Sequence, residues 1–315
     1  MSYAKEVKKE IIEGLSDNAC CRLAFLNALI RSCGEFGLAR KQISVLIKTE
    51  FKELFDVVDK TLNKLYSEKA QISMENDSFN KSIRYCITIS GGIATQLLID
   101  CGIARINENN CFELIDSIDR YLLEDTCCKR AFVKGIFIGC GSISGVSEER
   151  HSTGYHFECC FMSEQVASDF VALLSEFDIF CKKVVRKGMH VVYLKSGEQI
   201  SDVLALCEAG EKVIEFNQHI AMRSIINSVN RVSNCENANI NKTVESCLQQ
   251  LKAIEVIQET IGLDALNEDL AALCNLRLAN QEESLSELCK LTGMTKSAIN
   301  YRFNKILKIA KELSE

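Results

Sequence analysis

The stretches Leu26-Asn27-Ala28-Leu29-Ile30-Arg31-Ser32-Cys33-Gly34 and Val133-Lys134-Gly135-Ile136-Phe137-Ile138-Gly139-Cys140-Gly141 carry one pattern twice, and that repetition decides the fold. Each is entered through a matching segment, Cys20-Cys21-Arg22-Leu23-Ala24-Phe25 in the first copy and Cys127-Cys128-Lys129-Arg130-Ala131-Phe132 in the second, at a constant offset. Self-similarity at a fixed offset marks a duplicated structural unit. Small residues recur along one side of each stretch: Ala24 and Ala28 in the first, Ala131, Gly135 and Gly139 in the second. Glycine inside a helix costs about 1 kcal/mol against alanine, so such glycines ordinarily have a packing reason. Small side chains let two helix backbones approach closely. The pattern therefore predicts a pseudo-two-fold pair of helices, each followed by a sheet.

Outward from the pair, both copies read in the same order: helix, two strands, helix, two strands, helix. The first copy gives a helix over 19–33, strands near 35–39 and 42–48, a helix over 51–67, strands near 70–75 and 82–89, and a helix from Gly91. The second gives a helix over 127–140, strands near 142–146 and 155–162, a helix over 163–177, strands near 180–186 and 190–194, and a helix after Ser196. Alternation such as Ile43-Val45-Ile47 and Phe157-Cys159-Phe161 supports the strands. The chain then divides into an N-terminal helix (1–18), a duplicated domain (19–210, with repeats 19–105 and 126–210), a helical Asn-rich linker (211–262) and a C-terminal helical domain (263–315).

The two nine-residue stretches resemble degenerate LAGLIDADG motifs, which form the paired interface helices of LAGLIDADG homing endonucleases. The resemblance implies an α/β (α+β) fold of two αββαββα repeats, whose sheets form a DNA-facing saddle in the nucleases. It also implies that the residue before the final glycine of each motif should be an acid binding the divalent cations used for cleavage. Those positions are Cys33 and Cys140. Magnesium requires hard oxygen ligands, and thiols are poor substitutes. Glu35 follows the first motif, but Ser142 stands at the matching place in the second. The paired-metal arrangement is absent, so the repeat reads as a scaffold with no catalytic residues, no metal and no cofactor.

Three helices can be marked at the C-terminal end: about Glu268–Leu278, one beginning after Ser284, and one from Thr295 to about Leu313. Ser284 and Glu287 have capping-box spacing, and Gly293 interrupts the pattern before Thr295 caps the last helix. Helix, short glycine turn, helix is the spacing of a helix-turn-helix. Ile299, Phe303, Ile306 and Ala310 recur at helical spacing and should pack inward, below Leu285 and Leu288. Lys296, Ser297, Asn300, Tyr301 and Asn304 then face outward near the start of the last helix, where a recognition helix meets base edges. Asn300 suits adenine and Lys296 suits guanine or phosphate. Arg302, Lys305 and Lys308 suit phosphates, which give affinity without sequence information. Ser284 and Thr295, at the helix entries, complete the set of candidate DNA-contacting residues. The competing readings are an amphipathic helix with a solvated basic face and a partner-binding helix.

Charge placement separates these readings. The chain of 315 residues carries a net charge of −6, yet Lys290, Lys296, Arg302, Lys305, Lys308 and Lys311 follow one another without an acid. A second acid-free run holds Lys182, Lys183, Arg186, Lys187 and Lys195, either a further DNA contact or soluble charge. Asn227–Thr243, with six asparagines, reads as a polar break between helices, because Asn favours caps and turns. The alternative there is a DNA-backbone contact by Asn, Arg231 and Lys242.

An apolar content of 47% and a charged content of 25% belong to a globular protein, and no apolar run is long enough to span a membrane. No secretory signal opens the sequence, so a cytoplasmic, nucleoid-associated protein is expected. The 17 cysteines include no C-x-x-C pair. Adjacent cysteines do not easily share one tetrahedral ion, so the cysteines are expected to be reduced packing residues. His151, His156 and Cys159 lie close in sequence as a candidate metal set, but alternation over 155–162 reads as a strand with core residues instead.

Over essentially the whole chain the sequence is identified as a member of the WhiA family of bacterial DNA-binding regulators. The stretches that carry the resemblance are the Cys-Cys-Lys-Arg start at Cys127, Asn227–Thr243, Glu259-Thr260-Ile261-Gly262-Leu263 and Thr295-Lys296-Ser297-Ala298-Ile299-Asn300. Asn267 stands where the family often has proline, which affects only a helix entry. The resemblance implies a transcriptional regulator linked to cell division, chromosome segregation or sporulation. Its partners would be double-stranded DNA and other transcription or division proteins, with no membrane. A residual endonuclease and a protein-interaction module of the division machinery are the alternatives.

Overall fold

The computed structural model describes residues 2–39, 42–77, 82–109, 111–146 and 154–314. They form two compact units, Met1–Ala221 and Met222–Glu315. In the first unit, α1 (Tyr3–Glu13) precedes α2 (Ala19–Cys33), β1 (Gly34–Ala39), β2 (Gln42–Thr49), α3 (Lys52–Tyr66), β3 (Gln71–Asp77), β4 (Ser82–Ser90) and α4 (Gly92–Asp100). A small hairpin, β5 (Ala104–Ile106) and β6 (Phe112–Leu114), joins this copy to the next. The second copy comprises α5 (Thr126–Cys140), β7 (Gly141–Ser144), β8 (His156–Phe161), α6 (Glu164–Ser175), β9 (Lys182–Arg186), β10 (Met189–Leu194) and α7 (Gly197–Leu206). The expected order of elements is present in both copies.

Each copy builds an antiparallel four-stranded sheet, in order β1-β2-β4-β3 and β7-β8-β10-β9, so the two are topological duplicates. One face of each sheet packs on helices. Val45, Ile47, Ile87 and Ile89 do so in the first, and Phe157, Cys159, Phe161, Val192 and Leu194 in the second. Strand alternation sends the intervening residues to the open face.

The helix pair lies at the centre. Residues 24–26 and 28–30 of α2 and residues 131–133 and 136–138 of α5 are buried around nearly the whole circumference, as two helices sandwiched between sheets must be. A Cβ built on Gly135 would stand 2.6 Å from both the Ala28 Cβ and the Phe25 carbonyl oxygen. Gly135 is required because the backbones touch there. At Gly139 the obstacle is the Ser32 side chain. Asn27, fully buried in α2, donates to the Cys101 carbonyl (2.6 Å) and accepts from Arg31 Nε (2.8 Å). Arg31 in turn donates to the carbonyls of Gly102, Ile115, Asp116 and Ser117, which pins the connection between the copies.

The expected polar break at Asn227–Thr243 is not there. α8 runs from Gly210 to Thr260 as one helix of 51 residues through all six asparagines. Every residue from 227 to 243 is exposed. In water the Asn side chains need not compete for backbone groups, and the low propensity of Asn costs only tenths of a kcal/mol each. At the start of α8, the Glu10 carboxylate accepts the backbone N–H groups of Glu211 (2.8 Å) and Lys212 (3.1 Å).

The second unit continues with α9 (Glu268–Ala279), α10 (Leu285–Thr292) and α11 (Lys296–Ser314). Ala253, Ile254 and Ile257 of α8 join Leu270, Leu273, Cys274, Leu288, Ile299, Phe303, Ile306 and Ala310 in one core. Asn267 caps α9, its Oδ1 accepting from Leu270 N–H at 2.9 Å. This supplies the helix entry that a proline makes by its fixed φ.

Candidate nucleic-acid interface

The entry of α10 is the capping box read from the sequence. Ser284 Oγ accepts from Glu287 N–H (3.3 Å), and the Glu287 carboxylate accepts from Ser284 N–H (2.9 Å). The Ser284 contacts hold the Glu287 carboxyl down at about 2. Gly293 closes the helix in the left-handed region, with φ of 70°. Thr295 Oγ1 then accepts from Ala298 N–H (3.3 Å) to open α11. Under α11, Arg277 is buried with its guanidinium 5.4 Å from the Phe303 ring centroid. It donates to the carbonyls of Asn280 (3.2 Å) and Glu283 (2.7 Å), fixing the approach to Ser284.

Ile299, Phe303, Ile306 and Ala310 are the buried residues of α11, as expected. Thr295, Lys296, Ser297, Asn300, Tyr301, Asn304, Lys305 and Lys308 are exposed. Lys305 lies over the Tyr301 ring at 4.8 Å, which holds both side chains on one face. Arg302 is placed differently: its Nη2 binds Asp269 Oδ2 and its Nη1 binds Met294 Sδ, each at 3.0 Å. It ties α11 to α9 and to the turn. Lys308 stands 3.8 Å from Glu312, one turn on. Lys242 of α8, Ser284 and Lys296 line one shallow cavity of about 160 Å³. Arg231 lies on the exposed stretch of α8.

In the first unit the second basic run falls on the β9–β10 hairpin, around a turn at Lys187-Gly188. Lys182 and Arg186 share the open sheet face with Glu158 and Tyr193. Arg186 is 3.8 Å from Glu158 and 5.8 Å from the Tyr193 ring centroid. Lys183 points to the helical side instead, bonded to Glu164 (3.0 Å) and Ser168 (2.8 Å) of α6.

The C-terminal end of the helix pair is where the nucleases would hold cations. Burial, with the neighbouring Cys140, pushes the Cys33 thiol up to about 12, and its Sγ donates to the Leu29 carbonyl at 3.2 Å. A neutral thiol is not a hard anionic ligand. Lys8 of α1 reaches the same end, 5.7 Å from the Phe137 ring centroid, and burial lowers its pKa. The cavity here, about 360 Å³, is lined by Lys5, Lys8, Lys48 and Arg84 against the single carboxylate of Glu50. Lys5 is paired with Glu50. Lys48 is paired in turn with Glu35 (3.4 Å), and cations still outnumber carboxylates where a magnesium site would be anionic.

Alternation over β8 leaves His156 on the open face, bonded to Glu158 at 3.0 Å, and Cys159 in the core. His151 lies outside the described residues. His156 and Cys159 therefore cannot share an ion.

Three family models match: the WhiA N-terminal LAGLIDADG-like domain over residues 19–104, the WhiA LAGLIDADG-like domain over 129–226 and the WhiA C-terminal HTH domain over 229–310. The chain is 32% identical to the probable cell division protein WhiA of Alkaliphilus oremlandii, covering 100% of this chain and 98% of the relative. It belongs to the WhiA family. The WhiA homologue of Lachnoclostridium phytofermentans, also named a probable cell division protein, is 33% identical over the full length of both chains. The crystal structure of full-length WhiA from Thermatoga maritima matches with a TM-score of 0.57 at 23% identity, over 99% of both chains, which confirms the fold. Among the described residues no helix is long and apolar enough to cross a membrane.

Sequence reasoning missed Arg277, Lys8 and the encounter of Cys20-Cys21 with Cys127-Cys128. Arg277 and Lys8 sit in ordinary amphipathic helices, and no local pattern distinguishes a charged residue that turns inward. The cysteine encounter was implicit in the repeat, since equivalent positions near the axis of a pseudo-two-fold helix pair approach one another.

Proposed function

We propose that this WhiA-family chain is a sequence-specific DNA-binding regulator, linked to cell division, that does not cleave DNA. The observation that carries this is the outer face of α11. Lys296, Ser297, Asn300, Tyr301 and Asn304 stand exposed at its N-terminal half, over a core that fixes their direction, with no acid among them. Asn300 and Lys296 read bases, while Thr295, Ser284, Lys305, Lys308 and, across the shallow cavity, Lys242 take phosphates. Arg302 acts mainly as a tether through Asp269. Lys182, Arg186, Lys187 and Arg231 add contacts away from the recognition helix, and Lys183 is bound to α6. The cationic, thiol-lined end of the helix pair argues against nuclease chemistry. Nucleoid association follows from DNA binding.

The test begins with duplexes recovered by genome-wide mapping of bound sites. In gel-shift competition, Lys296→Ala with Asn300→Ala should narrow the preference for a recovered site over a scrambled one by about 30-fold or more, since each base contact contributes about 1–3 kcal/mol. Selection of the same sites by the double variant would defeat the recognition-helix assignment. Magnesium-dependent nicking of plasmid DNA, abolished by chelation, would defeat the non-cleaving reading.

A further inference from the structure

The N-terminal ends of the paired helices hold a cluster that the DNA reading does not use. Cys20 and Cys21 occupy the first turn of α2, and Cys127 and Cys128 the first turn of α5. Because the helices pair about a pseudo-two-fold, the two doublets face each other, and all four Sγ atoms lie within 4.8 Å of one another. Even the adjacent pair Cys20 and Cys21 has its sulfurs 4.0 Å apart. A zinc ion with Zn–S bonds of about 2.3 Å places tetrahedral sulfurs about 3.8 Å apart. Adjacent cysteines can share one ion here because each doublet sits in a helical turn that brings both thiols to the same end.

We propose that Cys20, Cys21, Cys127 and Cys128 form a tetrathiolate site for a single thiophilic divalent cation, zinc above all, that clamps the two motif helices together. Four sulfurs in tetrahedral reach select zinc over magnesium or calcium, which require oxygen. Burial pushes the Cys21 and Cys128 thiols up, so a bound cation has to displace their protons, and the helix ends assist it. Both doublets lie at helix N-termini, where the backbone dipole and free N–H groups stabilise negative charge. The N-cap side chains Asn18 and Asp125 accept no hydrogen bond from those first turns, whereas Ser163, Ser196, Asn267 and Ser284 cap their helices. Arg22, Arg130 and Lys134 line the adjoining cavity of about 480 Å³. Asp17 is engaged by Arg22 (2.6 Å), and Glu208 by Lys134 (2.7 Å) and Arg130 (3.3 Å), so these cations and acids balance one another. Binding exchanges the thiol protons for the cation, so it requires reduced cysteines and releases protons to solvent.

Full-length protein purified under reducing conditions without chelator should carry about one zinc ion per chain by elemental analysis. After metal stripping, titration with Co(II) should give the thiolate-to-cobalt charge-transfer absorption of a tetrahedral thiolate site, saturating at a single equivalent. Cys20 and Cys127 are exposed, so Cys20→Ser with Cys127→Ser can be made without opening the core and should reduce zinc content and the cobalt band to background. Cys111→Ser with Cys235→Ser, exposed cysteines elsewhere, should leave both unchanged. A reduced wild-type protein that takes up neither metal overturns the site, whatever the variants do. So does a cobalt band that survives in the Cys20, Cys127 variant, acid-labile sulfide in the purified protein, or a disulfide joining the doublets in the reducing buffer.

Discussion

The helix pair α2 and α5 and the C-terminal helix α11 show two opposite ways of specifying a helix. α2 and α5 are buried on nearly every side, so no polar face marks their orientation, and what positions them is absence of volume at Ala28, Gly135 and Gly139. α11 is buried along one stripe only, and its four buried residues recur every three or four positions. The pair can therefore tolerate little change at the contact, because its neighbours are backbone and close-packed side chains. The exposed face of α11 is free to vary, so long as the stripe beneath it remains. The contrast separates a scaffold, specified by packing, from the proposed recognition surface, specified by charge and exposure.

Substitutions beneath and between these helices test that separation. Phe303 is fully buried under α11 and carries the Arg277 guanidinium on its ring. Phe303→Ala should cost about 3–5 kcal/mol, from lost burial and the cavity left behind. Hydrogen exchange should show lost protection in peptides of α9, α10 and α11, with peptides of α2 and α5 unchanged. Loss of protection in both units would mean that they do not respond independently. Gly135→Ala acts on the other side of the comparison. Its new Cβ would meet the Phe25 carbonyl oxygen and the Ala28 Cβ at 2.6 Å, and backbone cannot swing aside. Overpacking of about 1–3 kcal/mol is partly offset by the gain of about 1 kcal/mol for alanine in a helix. The net outcome is a modest loss, seen as faster exchange in α2 and α5 only. A gain in stability would show that the helix backbones stand farther apart.

The same contrast explains what the sequence made readable. The duplicated motif, the order of elements it implies and the buried stripe of α11 all depend on periodicity, and all are present. The cap at Ser284 and the turn at Gly293 were readable because each answers a local backbone need. The continuous course of α8 was not, because asparagine signals a break only by a weak propensity that an exposed helix overrides. Arg302 looked like a phosphate ligand by its place on the helix, but its partner Asp269 lies 33 residues away in sequence. Partners of that kind are set by tertiary packing. The fold was thus more legible than the site, because a fold is written in repeated positions and a site in individual ones.

The smallest effect concerns the entry of α10 and depends on pH. Hydrogen bonds from the Ser284 side chain and backbone hold the Glu287 carboxyl at about 2, below its ordinary 4.5. A carboxyl depressed on folding contributes stability that is fully present above 4.5 and disappears as pH falls through about 2. Glu283 is pushed upward by its hydrogen bond to Glu287 and works in the opposite sense, so the net dependence over this window is shallow. Ser284→Ala removes the first cause of the Glu287 shift. Thermal midpoints of the full chain should therefore differ most between wild type and Ser284→Ala above 4.5, and the difference should narrow steadily as pH falls toward 2. A difference that stays constant through the window would mean that Ser284 acts through the N–H bond it accepts and not through the carboxylate. Because the box sits beside Lys296 and Lys242, the same variant also shows whether the cap contributes to DNA affinity. At neutral pH its binding should retain full sequence preference, since Ser284 is proposed to face phosphate and not to read bases.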